Sequence, residues 1–186
     1  MNDFTHDDEW QRDIRDRSLA LNFYGNTALA RGLDLDGPAV FLDRHQLALE
    51  IQQRYKFDTI IRSRRGPIFI EEKIVRWKGY DYTAIAVETK SCTLPGRETD
   101  GWIVTSRADY LLYCMLTMES DLHCHMWPMA KLRAFFLPRI EEFYEHVETE
   151  RNRTASRIVP IATINNAGVP YRSFWCPTLR QGERAA

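Results

Sequence analysis

Two carboxylates and one amine are spaced along the chain so that they could act together in catalysis. Asp58 opens a short apolar run, and Glu71 and Lys73 end the next one. Side chains alternate across a strand, so Glu71 and Lys73 are expected on one face and Glu72 on the other. Carboxylates packed together repel each other, and one of them raises its pKa unless a cation lies nearby. Mg²⁺ resolves that conflict, because it prefers oxygen ligands and typically takes one or two carboxylates.

A β-hairpin is the element that would hold these side chains together. Residues 57–62 and 68–73 are short, β-branched runs bounded by turn residues, which is the pattern of strands. Gly66 and Pro67 supply the backbone freedom and the stop that the turn between them needs. The hairpin predicts that an Asp, a Glu and a Lys meet at one edge of an apolar sheet.

A third predicted strand, residues 83–90, carries a second pair of the same kind. Glu88 and Lys90 share one face of that strand. They could support the site, replace Glu71 and Lys73 in it, or lie outside it. We expect Glu88 to be a supporting residue and Lys90 to accompany it, and the choice between the two Glu-x-Lys triplets stays open.

A helix is predicted to lead into the hairpin. Asp43 can cap it and Gln46 completes a capping box, with an apolar face formed by Leu47, Ile51 and Tyr55. Glu50 lies beside that face, one turn from Leu47. It is a candidate supporting ligand of the site, with a solvated helix flank as the alternative.

The remaining elements complete an α/β pattern. Residues 108–116 and 122–127 have the length and apolar content of strands. Apolar residues then recur at three- and four-residue steps from Leu132 to Val147, which predicts a helix that is kinked or restarted at Pro138. Two further strand-like pieces follow, at residues 157–164 and 171–176. We therefore expect a central mixed sheet of about five strands, flanked by the Asp43 and Leu132 helices.

Length and composition set mild bounds on the function. The chain has 186 residues with 44% apolar content, which suits a single domain over residues 1–186 with its core at about 43–150 and extensions at both ends. The net charge is -1, so a polyanion must be met by a local patch of cations. No apolar run is long enough for a membrane span, and the four cysteines are widely spaced without a CxxC motif. We expect a cytoplasmic protein that has no membrane partner and is a monomer or a homodimer.

Asp58, the hairpin and Glu71-Glu72-Lys73 resemble the signature of the PD-(D/E)XK nuclease superfamily, and their spacing is similar to that of its Holliday-junction resolvase branch. In that pattern an Asp precedes a strand that ends in Glu-x-Lys. Phe57 stands where the superfamily often has a Pro. The chain also resembles a set of phage-encoded proteins thought to carry the same core. The residues that match that set are Asp58, Glu72-Lys73, Glu88 and Ala108-Asp109-Tyr110-Leu111-Leu112-Tyr113.

The resemblance implies a restriction-endonuclease-like core and hydrolysis of DNA phosphodiesters, in a protein encoded by a phage or prophage. Mg²⁺, with Mn²⁺ as a possible substitute, can activate a water and neutralise charge on the phosphoryl oxygens. Asp58 and Glu71 are then the expected metal ligands, with the carbonyl of Glu72 as another. Lys73 would orient the attacking water or stabilise charge beside the metal.

DNA contacts are expected from cations near the site. Arg76 and Lys78 follow Lys73 and are assigned to the phosphates on the scissile side. The arginines of the hairpin turn lie ~15–20 Å away at the usual rise per residue, so they are solvated or make a distal contact. These arginines are Arg62, Arg64 and Arg65.

Other functions remain open from the sequence. A non-catalytic protein on the same fold could bind nucleic acid or a partner protein, as a phage anti-defence factor would. A structural protein of a virion would instead expose large apolar surfaces. His123 and His125 share a predicted strand face and could bind zinc, but a third ligand is not evident.

Overall fold

The protein is described by a computed structural model that covers residues 40–41, 56–63, 66–76, 83–116, 122–148 and 153–176. The strands are β1 (Val40–Phe41), β2 (Thr59–Ser63), β3 (Gly66–Arg76), β4 (Ala84–Cys92), β5 (Thr99–Asp100), β6 (Tyr110–Leu116), β7 (Leu122–Pro128), β8 (Tyr144–Val147), β9 (Ala155–Pro160) and β10 (Arg172–Cys176). The helices are α1 (Trp102–Thr105), α2 (Met129–Phe136) and α3 (Ile161–Asn166), with a 3₁₀ segment at Leu137–Glu142.

The strands form two sheets. The first is a mixed sheet with the order β1-β2-β3-β6-β7-β10, in which β3 and β6 are parallel and the other neighbours are antiparallel. The second is antiparallel, with the order β5-β4-β9-β8. The predicted α/β class with a mixed sheet is confirmed. The second sheet was not foreseen.

The predicted hairpin is present as β2 and β3. Thr59 pairs with Ile70, and Ser63 pairs with Gly66 at the turn. Gly66 has a φ of 125°, which residues other than glycine rarely adopt, so a glycine is required there. The turn thereby fixes the register that places Glu71 and Lys73 along β3.

The third predicted strand exists as β4, but it does not join the hairpin in one sheet. It pairs with β5 and β9, while β3 continues the first sheet by pairing in parallel with β6. The burial pattern gives the physical reason. β4 alternates buried Ile85 and Val87 with half-buried neighbours, which suits a sheet with one covered face. Residues 111–115 of β6 are all buried, as expected for a strand covered on both faces.

The helix predicted from Leu132 to Val147 is shorter than expected. α2 ends at Phe136, Pro138 lies in the 3₁₀ segment, and residues 144–147 form the edge strand β8. Proline lacks the N–H that an α-helix would need at that position, so the chain leaves the helix there. The strand expected at 157–164 is similarly divided, because β9 ends at Pro160 and α3 begins at the next residue.

The main apolar core is formed by both sheets together. Ile85 and Val159 from the second sheet pack in one cluster with Leu111 and Trp127 from the first, and α2 adds Phe136. One hydrogen bond also crosses between the sheets, since the backbone N–H of Ala86 donates to the Tyr113 hydroxyl at 3.1 Å. The two sheets are therefore held against each other, and the space beside this contact is where the candidate site lies.

Candidate active site

A cleft of about 580 Å³ opens where the two sheets meet. Its walls come from the start of β2, one face of β3, the β4–β5 region and α1. The residues that line it are Lys56, Phe57, Asp58, Glu71, Lys73, Glu88, Ser91, Thr99, Asp100, Trp102, Thr105 and Ser106. The structure thus brings the three predicted catalytic residues, Asp58, Glu71 and Lys73, into one cavity with Glu88.

Backbone pairing in the hairpin holds Asp58 beside Glu71. The N–H of Asp58 donates to the Ile70 carbonyl at 2.9 Å, just before β2 begins. The Asp58 carboxylate, through Oδ2, accepts the N–H of Glu72 at 2.9 Å. The side chain of Asp58 is therefore fixed against the β3 segment that carries Glu71, from which it is separated in sequence by a whole hairpin.

Glu71 and Lys73 form an ion pair on the cleft face of β3. The Lys73 ammonium lies 2.8 Å from Glu71 Oε1, and the Glu71 side chain is only 8% exposed. The same ammonium lies 5.9 Å from the ring centroid of Trp102, within the range of a cation–π contact. Glu71 and Lys73 share a face as the alternation predicted, and Trp102 adds an aromatic wall to the cleft.

The charges in the cleft act on one another. Burial raises the pKa of Glu71; Asp58 raises it further, while Lys73 and a hydrogen bond from Ser106 work in the opposite direction, and the pKa stays above its ordinary value. Burial lowers the pKa of Lys73, but the carboxylates of Glu71, Asp58 and Glu88 raise it, and the net pKa is elevated. Lys73 is therefore a protonated cation surrounded by acidic groups.

Glu88 reaches the cleft because α1 packs closely on β4. The Gly101 N–H donates to the Thr89 carbonyl at 2.9 Å, and a Cβ added at Gly101 would lie 2.3 Å from the Glu88 carbonyl oxygen. Only glycine permits that approach. The Ser91 hydroxyl donates to Glu88 Oε1 at 2.6 Å and holds the carboxylate in place. The structure thus places Glu88 in the cleft lining, and its supporting role stays a prediction.

Ser106 and Arg133 fix the other side of Glu71. Ser106 is buried, its hydroxyl accepts the N–H of Ala108 at 3.2 Å, and its proton is directed to Glu71. Arg133 of α2 donates to the carbonyl of Ile103 at 2.6 Å and to the carbonyl of Ser106. Neither residue could be identified from the sequence, because nothing in a local pattern connects α2 to the end of α1.

Glu72 and Lys90 do not direct their side chains into the cleft, and for Glu72 this is the orientation that strand alternation predicted. The carboxylate of Glu72 lies on the face of β3 opposite Glu71, where it accepts the Thr59 hydroxyl at 2.6 Å. Only its backbone carbonyl remains a candidate metal ligand. Lys90 does not line the cleft, and its ammonium pairs with Asp100 at 2.5 Å. A bulge between Glu88 and Lys90 interrupts the pairing of β4, which separates the two side chains.

Three other predicted residues lie wholly or partly outside the part of the chain that the structure describes. Glu50 and Lys78 lie outside the described residues, as does the helix predicted from Asp43. Arg76 ends β3, but only its backbone is described. Their assigned roles therefore stay predictions.

The donor atoms in the cleft suit a hard cation. Asp58 and Glu71 supply two carboxylates, within the one or two that Mg²⁺ typically takes. Burial is the main cause that raises the pKa of Glu71, and the neighbouring Asp58 raises it further. Among the described residues, no group of three or more His, Cys, Asp or Glu side chains is close enough to hold a metal. A bound Mg²⁺ would consequently rely on these two carboxylates, a backbone carbonyl and water.

The histidine pair on β7 is a separate feature. The rings of His123 and His125 lie 4.4 Å apart between centroids, and His125 is buried. Within the described part of the chain no third ligand joins them. The pair therefore supplies two zinc ligands at most.

In the residues that the structure covers, no helix has the length and apolar character needed to cross a membrane. Compared with protein families, with curated proteins and with solved structures, the chain matches none. The function is therefore inferred from the cleft itself.

Proposed function

We propose that the protein is a Mg²⁺-dependent nuclease of the PD-(D/E)XK type that hydrolyses phosphodiesters in DNA. One observation carries the proposal: Asp58, Glu71 and Lys73 line the same cleft. Asp58 is separated from Glu71 and Lys73 in the sequence by β2, the hairpin turn and the first part of β3. These are the residue types that such hydrolysis needs, and Glu88 adds a further carboxylate. An isolated Glu-x-Lys on a strand surface would lack both the cavity and the facing Asp.

Each residue has a distinct role in this proposal. Asp58 and Glu71 hold Mg²⁺ or Mn²⁺, and the carbonyl of Glu72 completes the protein ligands. The bound ion supplies Lewis-acid neutralisation of the phosphoryl oxygens and a more acidic water. Lys73 orients the water and offsets developing negative charge, as a compact ammonium on a flexible stem. Ser106 and Arg133 keep Glu71 in position.

Cleavage of DNA tests the proposal directly. Plasmid, linear and branched DNA are incubated with the full chain in Mg²⁺ or EDTA, and we expect cleavage in Mg²⁺ alone. Asp58→Asn, Glu71→Gln and Lys73→Met should each lower the rate by about a hundredfold or more, the scale of losing one transition-state contact. Lys90→Met is the matched control, since Lys90 belongs to the other Glu-x-Lys triplet but lies outside the cleft. Loss of activity in Glu88→Gln and Lys90→Met, with full activity in Glu71→Gln, would assign the site to that triplet.

Thermal melting provides a readout that does not depend on catalysis. Asp58→Asn removes a repulsive charge and should leave the melting temperature of the metal-free protein unchanged or higher. Lys73→Met should lower it near neutral pH, because it leaves the Glu71 carboxylate buried without its cation. Mg²⁺ should raise the melting temperature of the wild type and have little effect on Asp58→Asn.

A second function is favoured by one specific observation. The Lys73 ammonium already neutralises Glu71 at 2.8 Å, which is an arrangement that a metal-free binding protein could also use. A non-catalytic protein on this fold that binds nucleic acid or a partner protein would show no cleavage of any DNA form. It would also show no Mg²⁺-dependent rise in melting temperature.

A further inference from the structure

The cleft contains more acidic groups than basic ones. Its lining carries four carboxylates against two amines, those of Lys56 and Lys73, and one of the four, Asp100, is paired with Lys90 outside the lining. Lys73 is engaged by Glu71. Lys56 is exposed and forms no ion pair with any residue that the structure describes, although it stands two positions from Asp58. A lysine whose role was to balance the internal carboxylates would be expected to contact one of them.

Lys56 is held at the cleft mouth in a backbone conformation that lysine rarely adopts. Its φ is 53°, in the left-handed region. The Lys56 carbonyl accepts the N–H of Arg107 at 2.9 Å. The next residue, Phe57, is buried and packs on Phe69 with ring centroids 4.7 Å apart. The surrounding structure therefore enforces the strained conformation, which is how such strain persists at functional positions.

Arg107 is the second cation at the same place. It is exposed, directly follows Ser106 of the cleft wall, and its backbone is tied to that of Lys56. Like Lys56, it forms no ion pair with a described residue. Among the described residues, two cations without an ion pair are thus joined by a backbone hydrogen bond, with Lys56 in the cleft lining and Arg107 beside it.

We propose that Lys56 and Arg107 form a phosphate subsite that binds the backbone of DNA at the mouth of the cleft. The inference rests on the proposed nuclease function and names residues that the sequence did not suggest. A phosphate beside the one being hydrolysed must approach a cleft with an excess of carboxylates, and these two cations offset that repulsion. The substrate is accordingly a polynucleotide, since a mononucleotide ester has no second phosphate for the subsite.

Binding of a labelled duplex, measured by fluorescence anisotropy over a range of salt in EDTA, tests the subsite. Each neutralised phosphate contributes about 0.9 to the slope of log affinity against log salt, so losing both contacts should lower the slope by about 1.8. Between roughly 50 and 200 mM salt the double variant should lose about tenfold less affinity than the wild type does. The variant is Lys56→Asn with Arg107→Gln, because Asn tolerates the left-handed conformation and removes the charge together with part of the aliphatic chain.

Matched controls come from cations outside the cleft. Arg153 is also exposed with a positive φ, of 51°, so Arg153→Asn repeats the Lys56 substitution where no subsite is proposed. Lys131→Gln on α2 serves the same purpose for Arg107→Gln. Melting temperatures should match the wild type in all four single variants. Lys56→Gly, which also accepts the left-handed region, replaces Lys56→Asn if that variant is unstable.

The outcomes separate the subsite from the proposed function. A lower slope in the double variant alone, with unchanged controls, supports the subsite. An unchanged slope in a protein that still cleaves DNA overturns the subsite and leaves the nuclease standing. Failure of the wild type to bind or cleave any DNA overturns both.

Discussion

Acid should destabilise the fold through His125. This residue is 5% exposed, and neither of its ring nitrogens has a hydrogen-bond partner in the described structure. Burial, followed by the neighbouring His123, lowers the pKa of His125 to about 4. The imidazole is therefore neutral in the folded protein over a pH range in which the unfolded chain would protonate it.

The size of the effect follows from linkage. The ordinary pKa is 6.5 and the folded value is about 4. At about 1.4 kcal/mol per unit, the difference amounts to roughly 3 kcal/mol of folding free energy. Because the folded pKa is depressed, this stability is complete above pH 6.5 and is lost as the pH falls to about 4. That is a substantial part of the roughly 5–15 kcal/mol that a domain has in total.

Urea denaturation at pH 7.5 and 4.5, in the wild type and in His125→Phe, isolates the contribution. The wild type should lose about 2.5 kcal/mol more than the variant between the two pH values, since the phenyl ring cannot take up a proton. Titrating groups that do not interact with His125 cancel in the comparison. His123→Phe is the control, because His123 is only half-buried and hydrogen-bonds to Ser173 at 3.1 Å. Equal pH dependence in wild type and His125→Phe would refute the reasoning.

Three further predictions concern the elements around the cleft. Gly101→Ala should lower the free energy of unfolding by at least about 1–3 kcal/mol and abolish cleavage, because the added Cβ would overlap the backbone of β4. Urea denaturation and a cleavage assay check this, and wild-type stability would contradict it. Phe136→Ala should lower the free energy of unfolding by about 3–5 kcal/mol and Phe135→Ala by less, since Phe136 is fully buried and Phe135 only partly so. Equal losses in urea denaturation would contradict this packing. Asp109→Ala should lower the free energy of unfolding by about 1–2 kcal/mol, because Asp109 Oδ2 accepts the N–H of Phe69 in β3 at 2.9 Å. Asp109→Asn keeps an acceptor, so its melting temperature should be closer to that of the wild type.

The local geometry of the site could be predicted from the sequence. A strand alternates its side chains, so the order of Glu71, Glu72 and Lys73 determined which two would face the cleft. The glycine at position 66 determined the turn, and the turn determined the register. These properties depend on neighbours in the chain or on one hairpin, which is the range over which patterns are informative.

Contacts between distant segments could not be predicted in this way. Residues 144–147 continue the apolar spacing of a helix, yet they form β8 because pairing with β9 satisfies their backbone groups. β4 has the composition of a neighbour for β3, but partners at residues 99–100 and 155–160 place it in a second sheet. Which strand pairs with which depends on segments that no local window includes.

The second sheet supplies the wall that faces β3, so the Glu-x-Lys residues of β3 lie in a cleft and not on an open surface. With β4 beside β3 in a single sheet, Glu88 would stand on the same surface as Glu71 and face the same direction. In the observed arrangement α1 packs on β4 at Gly101, and the carboxylate of Glu88 faces Lys73 across a cavity. Asp100 is paired with Lys90, whereas Asp58, Glu71 and Glu88 share the cleft with the Lys73 ammonium. A network built only for stability would pair its charges, because unpaired buried charge is costly. Under the proposed function, a bound divalent cation would balance the remaining negative charge of this cluster.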